Sequence, residues 1–293
     1  YTLVSEFMLQ QTQVVTVIPY FNRFIENIPD LETLASFENR KLIKLWEGLG
    51  YYSRVRNLKK TAQVIIKDFN KKLPDNFLDL KSLPGIGDYT ASAISAIAFN
   101  KPFIPLDGNV ERVLKRYLYL KKENQIQKDN LIKSKKVLGT SSRSSDYAQA
   151  LMELGALICR PNNPLCEKCP ISKNCKSFAK QDFILNKIKK INKDKYFLLK
   201  VYKKNDKYLL VKNKNFNFLK NFNIFPMQEL IRPKNFKQNL NFKMSNMNMN
   251  IKIKNNKMIK SIPFSYWIDP KKLKNYTLPT FTKKIVNYLE SHK

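Results

Sequence analysis

Four cysteines, Cys159, Cys166, Cys169 and Cys175, fall within 17 residues of a 293-residue chain that has no other. Their spacing, C-x6-C-x2-C-x5-C, points to a metal rather than a disulfide framework. Four thiolates suit tetrahedral zinc or an iron–sulfur centre, and spacing alone leaves the two nearly tied. The sole histidine is His292, beside the C-terminus, which excludes a Ser-His-Asp triad, a Cys-His pair and a multi-histidine metal site. Two carboxylates stand out. Glu6 sits among Val4, Phe7, Met8 and Leu9, where desolvation would raise its pKa and keep it protonated. Asp107 opens the run Asp107-Gly-Asn109-Val-Glu-Arg112. Taken singly, Glu6 reads better as a solvated helix residue and Asp107 better as an N-cap.

A third feature is Leu83-Pro84-Gly85-Ile86-Gly87, a tight turn between two helical stretches. Its glycines permit positive φ and close approach of another backbone, and its amides with the following helix N-terminus can face a phosphate. This is the helix-hairpin-helix pattern, which grips a DNA backbone without reading sequence. An ordinary Gly-rich interhelical turn is the bland alternative, weakened by Asp107-Gly-Asn109 some twenty residues later.

The elements that must hold these groups differ between the halves. Apolar residues at Val14, Val17, Ile18, Phe21, Phe24 and Ile25 follow helical rhythm. Asp30 can cap a short helix through Ala35, Phe37–Trp46 reads as another, and Gly48-Leu-Gly50 breaks it. Helices are expected over Tyr51–Phe69, Tyr89–Phe99, Asp107–Tyr119 and Tyr147–Cys159, giving an all-α first half. In the second half Lys195–Tyr202 and Lys207–Lys212 are β-rich runs joined by a hairpin signal at 203–206. Asn250–Lys254 alternates as a half-buried strand does, and Thr280–Ser291 closes with a helix.

Charge divides the same way. The chain has 54 Lys+Arg against 23 Asp+Glu, a net +31, with 43% hydrophobic and 12% aromatic residues. Packed cores are therefore expected, and no apolar run approaches the roughly 18 residues of a membrane span. Residues 1–179 hold all seven glycines and a net charge of +10, whereas 180–293 carry +21 and no glycine. A polyanionic partner fits, although a Lys-rich, Asn-rich composition is also what an AT-rich genome produces.

The chain resembles the MutY-type adenine DNA glycosylases of the endonuclease III-like helix-hairpin-helix superfamily. The resemblance rests on Ser5-Glu-Phe-Met-Leu-Gln-Gln-Thr12, Leu45-Trp-Glu-Gly-Leu-Gly-Tyr-Tyr52, Leu83-Pro-Gly-Ile-Gly-Asp-Tyr-Thr90, Asp107-Gly-Asn-Val-Glu-Arg112 and the cysteine cluster, in family order. It implies a helix-hairpin-helix glycosylase domain over 1–185 with an iron–sulfur loop at 159–175. A linker at 186–194 and a degenerate, α+β Nudix-like domain over 195–293 that recognises 8-oxoguanine would follow.

The resemblance assigns Glu6 the general-acid role at adenine N7 and gives Asp107 the developing sugar cation. Tyr89 and Asn109 stand beside that aspartate. Tyr89 occupies the position at which bifunctional relatives carry a Schiff-base lysine, so a monofunctional glycosylase is implied. Gln10, Gln11 and Tyr51 match positions that probe and wedge the mispair, and Leu83, Gly85 and Gly87 form the backbone-gripping hairpin. The four cysteines would hold a [4Fe–4S] cluster. The implied partner is double-stranded DNA with A·8-oxoguanine or A·G mispairs, bound by a monomer without membrane contact in a bacterial, nucleoid-associated cytoplasmic setting.

A working Nudix box needs glycines and clustered glutamates; here only Glu229 and Glu290 are glutamates. The recognition motif of the second domain is matched only by Met244-Ser245-Asn246, where Asn cannot titrate as a histidine would. The rival readings are an endonuclease III-like pyrimidine or mismatch thymine glycosylase, and a non-catalytic, metal-bound DNA-binding protein.

Overall fold

The computed structural model describes residues 1–121, 132, 135–184, 193–244, 247–256 and 262–292. The chain forms two compact units. The first comprises Tyr1–Phe37 and Ser53–Ile188, the second Glu38–Tyr52 and Lys189–Lys293. Glu38–Tyr52 thus groups with the second unit although it lies within the span expected of the first domain. Of the expected 186–194 linker, only Lys193 and Asp194 are described, and both already belong to a strand.

The first unit is helical, as its hydrophobic periodicity requires. Helix α1 (Thr2–Leu9) packs on α2 (Val14–Asn27), α5 (Ser53–Asp68) and α7 (Asp88–Phe99). Asp30 caps α3 (Leu31–Ser36) by accepting from Thr33 N at 2.7 Å, and α3 lies against α5. Helices α6 (Phe77–Ser82) and α7 flank the glycine hairpin. Helix α8 (Gly108–Leu118) packs on α9 (Ser144–Glu153) and on the one-turn α10 (Lys176–Ala179). The helix expected over Tyr147–Cys159 is shorter than its periodicity suggested. α9 ends at Glu153 and the chain continues as a wider π turn over Leu154–Ile158 before the cysteine loop.

The second unit holds helix α4 (Asn39–Leu45), a closing helix α11 (Thr280–Ser291) and two sheets. One sheet has the order β5 (Met227–Leu230), β1 (Lys193–Val201), β7 (Met247–Asn255), β6 (Leu240–Met244), with β1 and β7 parallel. The other joins β2 (Lys203–Lys204), β3 (Lys207–Lys212), β4 (Asn223–Ile224) and β8 (Ser265–Ile268). The hairpin at 203–206 forms, but between β2 and β3, while β1 pairs with β5 and β7 instead. Asn205 and Asp206 both take positive φ, the tight-turn geometry that suits a two-residue hairpin. The core combines Phe197, Leu199, Leu210, Ile224, Phe225, Met249, Ile251 and Ile285. Glu47 anchors the 38–52 segment here. It pairs with Lys44 (2.6 Å) and Lys283 (2.7 Å) and accepts from Leu278 N (3.2 Å), while Tyr52 packs on Phe222. Despite the burial of Glu47, these lysine contacts hold its carboxyl below the usual range. Ser245 and Asn246 lie outside the described residues. No described helix is long and apolar enough to cross a membrane.

Candidate active site

A cleft of about 740 Å³ in the first unit brings distant segments together. Glu6 and the Gln10–Val14 turn meet Gly85, Gly87 and Tyr89 of the hairpin, Asp107 and Asn109 of the α8 start, and Glu153 of α9. Each is placed by its local structure.

Glu6 is in the last turn of α1, on the side that buries Leu3, Phe7 and Met8 against the neighbouring helices. It is only 4% exposed, and its Oε2 has no hydrogen-bond partner among the described residues. Burial raises its pKa to about 7, the Tyr89 hydroxyl pulls it partly back, and the charge of Asp107 adds to the rise. The expected rise comes from the packing of a whole helix, not from its sequence neighbours alone. Tyr89, in the first turn of α7, is itself pushed above the usual phenol range by burial and by both carboxylates. It is therefore a neutral hydroxyl, which offers no amine to the cleft.

Asp107 is the N-cap of α8 and also lines the cleft. Its Oδ1 caps α8, accepting from Asn109 N (2.9 Å) and Val110 N (2.7 Å), and its Oδ2 accepts from Asn109 Nδ2 at 3.2 Å. The cap leaves the carboxylate at the cleft wall with its orientation fixed. Asn109 is fixed in turn by Arg112, whose Nη2 donates to Asn109 Oδ1 (2.9 Å) and to the Gly155 carbonyl (2.5 Å). Arg112 Nε also donates to the Cys159 carbonyl at 2.7 Å.

Gly155, in the π turn, is required by this contact. A Cβ there would stand 2.6 Å from Asn109 Cβ and 2.8 Å from its backbone carbonyl. Gly155→Ala should therefore displace the α8 start, costing about 1–3 kcal/mol as overpacking does. Thermal unfolding checks it: the melting temperature must fall, because the displaced residue anchors the α8 start.

The hairpin is equally constrained. Gly85 has φ +83°, and a Cβ would lie 2.8 Å from Asn57 Cβ and 3.0 Å from the Phe7 ring. Leu83 is buried, and its carbonyl accepts from Ile86 N to close the turn. The Pro84 carbonyl accepts from Thr61 Oγ1 at 2.8 Å. Gln10 spans to this turn, its Nε2 donating to the Gly85 carbonyl (3.3 Å) and Thr90 Oγ1 (3.4 Å). Gln11 is exposed with φ +58°. The buried Arg54 fixes the exit of α1, its Nη1 donating to the carbonyls of Phe7 (3.2 Å), Met8 (2.5 Å) and Gln10 (2.7 Å). Tyr51 is 45% exposed in left-handed backbone (φ +46°), and it belongs to the second unit.

The four cysteines line one small pocket with Val113, Arg116, Leu154, Ile158, Phe178 and others, and none forms a disulfide. Arg116, 3% exposed, ties the loop together through the carbonyls of Arg160 (2.6 Å), Pro161 (2.8 Å) and Phe183 (3.2 Å). Its Nη1 approaches Cys159 Sγ at 3.5 Å. Among the described residues, no three Cys, His, Asp or Glu stand close enough to share a single ion. Burial raises the Cys166 and Cys169 thiols, and neighbouring cysteines add to it, so four thiolates there need cationic compensation. An apolar-walled pocket ringed by four soft donors, with a guanidinium on one sulfur, fits a thiolate-bound metal cluster.

Sequence reasoning missed Arg54, Arg112, Arg116 and Glu153. For two of them a signal was present. Asn109, Arg112 and Arg116 are spaced three and four apart, which sets them on one face of α8.

Residues 4–136 match the HhH-GPD superfamily of base excision DNA repair proteins. The adenine DNA glycosylase of Buchnera aphidicola subsp. Baizongia pistaciae is 39% identical over 230 residues, covering 77% of this chain and 65% of that protein. That of Buchnera aphidicola subsp. Acyrthosiphon pisum is 36% identical over 251 residues, covering 81% and 71%. A thermostable thymine-DNA glycosylase structure superposes with TM-score 0.53 at 28% identity, covering 61% of this chain and 83% of its own. The chain thus spans about two thirds of the length of these curated relatives.

Proposed function

Because the chain belongs to the adenine DNA glycosylase family of the HhH-GPD superfamily, we propose that it hydrolyses the N-glycosidic bond of adenine mispaired with 8-oxoguanine or guanine. The observation that carries this reading is the pair of unlike carboxylates in one cleft, Glu6 buried with a pKa of about 7 and Asp107 capped and oriented.

The chemistry follows from those environments. Adenine departs as a poor leaving group unless its N7 is protonated, and a carboxyl titrating near neutrality is suited to deliver that proton. As the bond lengthens, positive charge grows on the sugar, and a fixed carboxylate at the cleft wall stabilises it without reorganising. Asn109 and Arg112 keep Asp107 from swinging toward Glu6. The neutral Tyr89 offers no amine, so water completes the reaction and the strand remains uncut. A flipped adenine would lie between the Gln10–Val14 turn and Met152–Glu153, with the Glu153 carboxylate able to accept from its exocyclic amine. Gln10, Gln11 and Tyr51 are proposed to probe and wedge the opened stack, and Leu83, Gly85 and Gly87 to present backbone to a phosphate. In the second unit, Ser245 is proposed to meet the base opposite adenine.

Cys159, Cys166, Cys169 and Cys175 would hold a [4Fe–4S] cluster. Such a cluster supplies a rigid, four-coordinate staple with no open position, leaving hydrolysis to the carboxylates. Aerobically purified protein should be brown with about four irons per chain. Cys169→Ser should lose colour and iron together, whereas stoichiometric zinc in colourless protein would refute the assignment.

The reaction is tested with duplexes carrying A·8-oxoguanine, A·G, T·G or thymine glycol, followed by alkaline cleavage of abasic sites. Strand breaks are expected only after alkali and only for the two adenine mispairs. Release of thymine or its glycol with adenine untouched would favour the pyrimidine-glycosylase reading instead.

A further inference from the structure

Strands β1 and β7 are parallel over nine registered pairs, from Lys193 against Met247 to Val201 against Asn255. Parallel pairs are ordinarily covered on both faces and read as continuous apolar runs. Here one face supplies the core, and the other is apolar only in part: Tyr196 and Leu198 are half-buried, Phe236 meets the Tyr196 ring edge-on, and Asn250, in register with Tyr196, is buried. Phe197, Leu199, Val201, Met249 and Ile251 enter the core, and Leu240, Phe242 and Ile253 pack against it. The alternate residues form an opposite face of another kind.

On that face Lys200 is registered against Lys254, and Leu198 against Lys252. Lys243 on β6 lies opposite Asn248, and Asn241 opposite Asn250. Lys243, Lys252 and Lys254 are exposed and Lys200 is half-exposed. None of the four forms an ion pair with a described residue. The one acidic residue of this face on β1 or β7, Asp194, accepts from Asn248 Nδ2 at 2.8 Å. Placing two ammonium groups side by side in register is unfavourable for the sheet itself. A stretch of face that carries ammonium and amide groups where a covering layer would normally sit is complementary to an extended polyanion. Lys252 and Lys254 are about 6.6 Å apart along the strand, comparable with successive phosphates of one DNA strand.

We propose that this sheet face, centred on Lys200, Lys252 and Lys254, binds the sugar–phosphate backbone of duplex DNA. The proposal rests on the glycosylase reading and adds a second, sequence-independent grip, in the second unit. The lysines neutralise phosphates and release counterions, and the amides of Asn241 and of Gln228, which β5 sets in register with Leu198, reach sugar and phosphate oxygens. Such contacts carry no base preference, so they strengthen retention on DNA without altering which mispair is processed.

The test uses the full chain with Lys200, Lys252 and Lys254 all changed to Gln. Equilibrium binding to one mispaired duplex is measured across a salt series, beside single-turnover adenine release at saturating enzyme. The log–log salt slope should become shallower by about 2–3, near 0.9 for each phosphate that is no longer neutralised. The single-turnover rate and the melting temperature should hold. A control triple, Lys271, Lys272 and Lys274 to Gln, removes the same charge from a different site of the same unit and should leave the slope nearly intact. Equal slope changes in the two triples would mean that only net charge matters and would overturn the proposal. So would an unchanged slope in the face variant. If that variant instead loses binding to phosphatidylserine vesicles while its DNA slope is retained, the face belongs to membranes and the proposal falls. Because the unsubstituted chain is assayed for adenine release in parallel, failure of the surface is separable from failure of the glycosylase reading.

Discussion

Asp107→Asn is expected to lower single-turnover adenine release by on the order of 10³-fold while leaving the fold intact. Asparagine accepts from the α8 amides as aspartate does, so the cap through Asn109 N and Val110 N survives and stability should change by only a few tenths of a kcal/mol. What is lost is the negative charge beside the forming sugar cation. A second consequence separates this role from simple packing. The charge of Asp107 helps to raise Glu6, so the residual activity of the variant should lose its alkaline limb at lower pH than the parent. Full activity in a folded Asp107→Asn protein would end its assignment. So would a variant that fails only because it melts.

Glu6→Gln carries the other large effect, and it runs in opposite directions for rate and stability. Loss of the general acid should reduce the rate by about 10²–10⁴-fold. On the proposed general-acid role, the rate of the parent should fall as pH rises through about 7, where Glu6 gives up its proton. The sign for stability follows from the same shift. A carboxyl raised from 4.5 to about 7 on folding contributes fully below its unfolded value, and that contribution is lost as pH rises through the folded value. The loss approaches roughly 3 kcal/mol. Glutamine cannot ionise. The variant should therefore gain on the parent by several degrees in melting temperature near pH 8.5 relative to the difference near pH 5. Calorimetry at the two pH values reads this directly. A parent–variant gap that does not move with pH would mean Glu6 is not held protonated by burial.

The legible part of this protein in its sequence was the part that local chemistry determines. Helical periodicity marked α2 and α5, a capping aspartate marked α8, and glycines marked the hairpin. The apolar neighbours of Glu6 foretold its burial. What escaped was set by long side chains acting across large sequence separations. Arg54 reaches back to carbonyls more than forty residues earlier, and Arg112 joins residues of two helices to the cysteine loop. A guanidinium in a sequence does not say whether it will face solvent, a phosphate or a helix end. The π turn at Leu154–Ile158 was hidden because its residues are as apolar as the helix that precedes them. The partners of β1 were misread for a related reason. Pairing is decided by which strand completes the core, and Lys195–Tyr202 followed by a turn signal looks like one arm of a hairpin whichever sheet it joins.

The anchoring of Glu38–Tyr52 in the second unit has a consequence for how this protein can be divided. A polypeptide severed between the units near residue 190 would not yield two self-sufficient halves. The amino-terminal fragment would carry away Trp46, Glu47 and Tyr52, and the carboxy-terminal fragment would lose the carboxylate that Lys283 and Leu278 N share. Truncation, proteolysis or recombination at that junction therefore removes an integral part of the second unit. The two halves are bound to one inheritance, and the carboxy-terminal half cannot be shed as a free-standing module.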